Sequence, residues 1–143
     1  MRGRLKGHFA WQNKEKGMSS SKKQLPAIAG IIVGFLSIMA GSKVLLGISS
    51  PNYIVLHWLV IYNVSLGVVS VFAGAGLWRL RPWATSLAGL IAVSHAFVLA
   101  LLIVFFISGK AVAYQSILAM LFRTTVWLGI FLFVRTSKKT GSV

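Results

Sequence analysis

A chain of 143 residues that is 57% hydrophobic, with a mean hydropathy of +0.82, is too apolar for a soluble domain of its size. Its 15 Lys and Arg stand against one acid, Glu15, for a formal net charge of +14. No cysteine is present, which excludes disulfides, thiolate metal sites and cysteine nucleophiles. One carboxylate also excludes paired-carboxylate hydrolysis and carboxylate-rich Mg²⁺ or Ca²⁺ sites. No catalytic residue set remains, so the chain reads as a non-enzyme.

Residues 1–24, "MRGRLKGHFAWQNKEKGMSSSKKQ", read as a polar, basic N-terminal tail. Four apolar segments follow, at about 25–48, 53–78, 83–108 and 112–134. Each is long enough for a bilayer-spanning helix, which needs about 20 residues for a hydrocarbon core of about 30 Å. Helices satisfy every backbone polar group inside lipid. The connections "SSPN", "RLRP" and "GKA" are short, and short connections make neighbouring helices antiparallel. The expected fold is therefore an all-α membrane protein, four transmembrane helices in an up-down-up-down bundle. Residues 135–143, "RTSKKTGSV", read as a basic C-terminal tail. The first segment is longer than a signal-peptide core of about 7–15 residues and is expected to be retained. Met18 is an alternative start to Met1.

The basic residues orient the bundle. Seven Lys or Arg in residues 1–24, Arg79 and Arg81 in the "WRLRPW" turn, and Arg135, Lys138 and Lys139 share one side. The other side has Lys43 and Lys110. Twelve against two implies that both termini are cytoplasmic, as in many small bacterial inner-membrane proteins. Trp78 and Trp83 flank the turn at the level of an aromatic belt, and with Arg79 and Arg81 they form the expected membrane-surface group. Pro82 suits the first position of a new helix. Anionic lipid headgroups at the cytoplasmic face account for the charge, about 1 kcal/mol for each Lys or Arg. No motif for nucleic-acid binding is present.

Small residues recur at helical spacing. Gly30, Gly34, Ser37 and Gly41 share a face of the first helix, and Asn63, Gly67, Ser70 and Gly74 a face of the second. The third carries Ala84, Ala88, Ala92, Ala96 and Ala100 at a period of four. Such stripes let helix backbones approach closely in lipid and are expected to form packing seams, with any surplus face open to another subunit.

Among the polar residues well inside the apolar runs, Ser37, Asn63, His95 and Arg123 come one from each helix. Counted from the cytoplasmic ends, all four lie about 18–22 Å in, at one depth near the bilayer middle. They form the expected partner- or ligand-binding group. Trp127, four residues after Arg123, is placed for a cation–π contact. His57 and Lys43 are expected to be interfacial anchors. An intramembrane hydrogen bond averages about 0.6 kcal/mol. An arginine at a helix centre costs at least about 2.5–3.5 kcal/mol. Hydrogen bonding thus explains Asn63 and Ser37 better than Arg123, whose span holds no acid to pair with it.

The expected function is that of an accessory or assembly subunit on a larger membrane complex or in a homo-oligomer. A second reading is a bundle that binds a cofactor, quinone or lipid through His95 and Arg123. His57 and His95 differ in depth by roughly 13 Å, too far to share one haem. His95 alone remains a possible ligand to haem or a chlorophyll-type pigment. The bacterial antenna polypeptides place alanine four residues before their ligand histidine, where this chain has Ile91. A third reading is anion transport past Arg123. In size and topology the chain resembles the small multidrug exporters, whose substrate site is a glutamate in the first helix; no helix here carries one.

Overall fold

In the computed structural model, backbone structure is described for residues 2–48 and 56–140, and side chains for 24–48 and 56–137. Among the described residues every element is helical: α1 Arg2–Leu45, α2 His57–Trp78, α3 Pro82–Ile107 and α4 Tyr114–Thr140. Four stretches are long and apolar enough to cross a membrane: Gln24–Leu45, His57–Trp78, Pro82–Ile107 and Tyr114–Ser137. Their mean hydropathies are 2.0, 1.8, 2.8 and 2.1. The 22 residues of the shortest spans rise about 33 Å, which matches a bilayer core.

The helices differ from expectation at their ends. α1 begins at Arg2 and α4 runs to Thr140, so residues 2–24 and 135–140 of the stretches read as tails continue helices. Lys, Gln, Glu, Met and Ala are good helix formers, and the first proline of the chain is Pro26. Pro26 lies inside α1, where the polar stretch meets the span. α2 begins at His57 rather than at residue 53; residues 53–55 lie outside the described region.

The turn between α2 and α3 closes by two backbone bonds. Arg81 N–H donates to Gly76 O at 2.9 Å and Leu80 N–H to Leu77 O at 3.0 Å. This is the pattern of a Schellman cap. Gly47 and Gly109 take the corresponding left-handed position after α1 and α3, but after α2 it falls to Leu80, at φ 54°. A left-handed residue with a Cβ costs roughly 1–2 kcal/mol. Pro82 follows at the start of α3 and fixes the restart of the helix.

α1 touches α2 and α4, and α3 touches α2 and α4. The α1–α2 seam runs in opposite directions along the two helices. A Cβ on Gly34 would lie 2.7 Å from Gly67 O, and one on Gly74 would lie 2.9 Å from Ala27 O. Further along, Gly41 leaves room for Val64. Glycine is required here because backbone meets backbone. Sequence reading missed two further close-contact glycines, which meet side chains rather than backbone. Gly76 receives the rim of the Trp83 ring and Gly89 that of Phe131.

The alanine stripe of α3 is only partly a seam. Ala84, Ala88 and Ala92 are buried, whereas Ala96 and Ala100 are exposed. Four residues turn a helix by about 400°, so a period of four drifts about 40° at each step. By Ala96 the stripe has left the packed face. Burial passes instead through Ile91, His95, Val98 and Leu102, which alternate spacings of three and four.

Near the α2–α3 turn the core is a continuous apolar cluster that includes Ala73, Leu77, Ala88, Ile91, Trp127 and Ile130. A smaller cluster, Leu59, Val98, Leu102 and Met120, lies toward the other end. Between them are the polar residues.

Candidate functional site, an arginine-floored cavity

Arg123 is carried by α4, with Gln115, Ser116 and Ala119 before it on one face at helical spacing. Its Nε–H donates to Ser37 Oγ on α1 at 3.1 Å. Ser37 in turn donates to Val33 O at 2.8 Å, so its hydroxyl hydrogen is already committed and its lone pairs face the guanidinium. The next two residues give Arg123 no further support. Thr124 donates to Met120 O and Thr125 to Leu121 O, at 2.8 and 2.9 Å. Such back-bonding into the preceding turn is usual for threonine within a helix. A guanidinium carries five N–H donors and accepts nothing. Four of them have no acceptor among the described residues.

These donors lie at a cavity of about 130 Å³ between α1, α2 and α4. Its polar lining is Ser37, Asn63, Gln115, Ser116 and Arg123. Leu56, Leu59, Val60 and Val44 form an apolar wall. Asn63 Oδ1 is buried without a hydrogen-bond partner among the described residues. The cavity is large enough for several waters, but well below the roughly 300–1,000 Å³ of a pocket for a drug-sized ligand. Arg123 stands nine residues from the start of α4, or about 13 Å. The cavity thus occupies the half of the molecule that holds the α1–α2 and α3–α4 connections.

Of the four polar residues expected at one depth, Ser37, Asn63 and Arg123 meet at this cavity and His95 lies outside its lining. Two direct side-chain contacts involve the group. Ser37 joins Arg123 across α1 and α4. His95 joins Tyr62 across α3 and α2: the Tyr62 hydroxyl hydrogen-bonds His95 Nδ1 at 3.1 Å, and the rings meet edge-on at 5.7 Å and 80°. His95 is 2% exposed, and it is not part of the cavity lining. Asn63 lines the cavity but reaches neither pair.

Trp127 also departs from expectation. It is fully buried, its ring edge lies against Gly30, and its Nε1–H has no partner among the described residues. The cation-over-ring contacts among the described residues are Lys110 over Phe105 at 4.5 Å and Arg135 over Phe131 at 5.8 Å. Arg123 makes none. Both side chains meet α1 at different levels, the Trp127 ring edge against Gly30 and the guanidinium at Ser37. Trp78 and Trp83 are about half exposed, with Arg79 and Arg81 exposed between them. His57 and Lys43 are exposed near helix ends.

Sequence reading missed Gln115 as a site residue. A signal was present: Gln115, Ala119 and Arg123 repeat every four residues and place two polar groups on one α4 face. Among the described residues no group of three or more His, Cys, Asp or Glu could hold a metal ion. The chain matches none of the protein families, curated proteins or solved structures with which it was compared. Function therefore has to be argued from the site alone.

Proposed function

We propose that the chain is a non-catalytic integral protein of a bacterial inner membrane, acting as an accessory or assembly subunit of a larger membrane complex. In this reading the four spans run up-down-up-down with both termini in the cytoplasm. The support for that orientation is the charge bias, twelve Lys or Arg against two. Arg123 then receives an anionic group from outside the chain.

One observation carries the reading. Among the described residues Arg123 has a single acceptor, Ser37, and the only acid of the chain is Glu15, outside the four spans. A charge held in an apolar span against a large penalty, without a counter-charge of its own, marks a functional site. Mild solubilisation and affinity capture of the full chain test the proposal. The expected result is stoichiometric recovery of a larger membrane protein, weakened by Arg123→Leu. Recovery of the chain alone would count against it.

The cavity favours ligand binding as the second reading, with Arg123 as its centre rather than His95. His95 is engaged by Tyr62, and the cavity is small for a porphyrin or quinone ring. Translocation is less favoured because the apolar cluster around Trp127 and Ile91 fills the half beyond Arg123.

A further inference from the structure

The cavity has a direction. α1 and α2 are in close contact along their lengths, from Gly74 against Ala27 to Gly41 against Val64, and α3 contributes nothing to the lining. α1 meets α4 through Arg123 on Ser37 and Trp127 on Gly30. Both contacts lie at or below the cavity floor. Above them α1 and α4 face the cavity with Ala40 and Ala119, two small and exposed residues. On the reading that the four helices span a bilayer, the low rim between α1 and α4 opens toward hydrocarbon. Beyond the floor the molecule is closed by the cluster that contains Trp127.

From this geometry we infer that the cavity is a blind lipid-headgroup site, entered sideways between α1 and α4, which holds the carboxylate or phosphate of one acidic amphiphile on Arg123. The inference rests on the reading that Arg123 receives an external anion, and adds the chemistry and route of that anion. Carboxylate and phosphate oxygens are acceptors that match the guanidinium fork, and such pairs are the strong hydrogen bonds of proteins. Ser116 and Gln115 lie along the same face toward the mouth and add neutral donors. Leu56, Leu59 and Val60 offer apolar surface to the first carbons of an acyl chain. The small volume takes one headgroup and leaves the chain in the bilayer. The long arginine stem allows the charged end to meet a headgroup drawn in from the interface.

The test uses the full chain in nanodiscs of phosphatidylcholine alone, with added phosphatidylglycerol, or with added oleate, and native mass spectrometry of the released protein. The wild type is expected to keep one phosphatidylglycerol or one oleate against the phosphatidylcholine background. Retention of only the first identifies a phospholipid phosphate, and of only the second a free acid; either supports the site. Arg123→Gln is expected to weaken retention about tenfold or more. Ala40→Leu, which narrows the mouth and leaves Arg123 in place, is expected to weaken it as well, and guards against a folding defect in the first variant. Arg135→Gln is expected to leave it unchanged. Retention that survives Arg123→Gln, or that follows Arg135, would overturn the inference in favour of general attraction to the basic face. So would a chain that keeps no acidic lipid even when recovered with a partner subunit, a result that leaves the accessory-subunit reading standing.

Discussion

The two halves of this molecule are built from the same four helices and behave differently. In the half next to the α2–α3 turn, Gly30, Gly74 and Gly76 bring helices together, and the bulk of Trp127, Ile91 and Leu77 fills the centre. In the other half α1 and α2 remain close, but α1 and α4 part around a polar cavity. Interiors that are close-packed lose stability with each atom removed. A cavity lined by an unpaired cation contributes little to stability and is retained for what enters it. The comparison assigns stability to one half and binding to the other.

The sharpest way to break this division is Trp127→Ala. A fully buried tryptophan is expected to cost about 3–5 kcal/mol on truncation, read as unfolding free energy in mixed micelles. Acidic-lipid retention by the folded fraction should persist. If the variant were as stable as wild type, the packed half would not be the stabilising one. A smaller effect is expected from Gly34→Ala. Its new Cβ would lie 2.7 Å from Gly67 O, so α1 and α2 must separate, at about 1–3 kcal/mol. Unchanged stability there would mean that the seam is loose. The smallest effect is expected from Tyr62→Phe, which removes the bond to His95 at about 0.6 kcal/mol. Because this pair lies outside the cavity lining's charged floor, lipid retention should not change.

The spans were legible in the sequence because hydropathy over about 20 residues needs no knowledge of partners. The glycine seams of α1 and α2 were legible for a related reason: a repeat of 30, 34 and 41 against 67 and 74 keeps one face on both helices. The α3 stripe misled, since a strict period of four rotates off the contact face by Ala96. The polar residues were legible as a set, and three of them, Ser37, Asn63 and Arg123, line one cavity, while His95 falls outside it. Depth follows from counting along a helix, whereas pairing depends on which faces the packing brings together, and Trp127 packs on Gly30 rather than on Arg123. Gly76 and Gly89 have no stripe to announce them, because each accommodates a single aromatic ring.

The most direct test of the central claim is the unfolding free energy of Arg123→Leu beside wild type. If Arg123 is held for an anion, leucine removes a charge that costs at least about 2.5–3.5 kcal/mol in a span and loses one bond to Ser37. The variant should be as stable as wild type or more stable. A loss of stability comparable to that of Trp127→Ala would show that Arg123 holds the fold together, and would contradict the account.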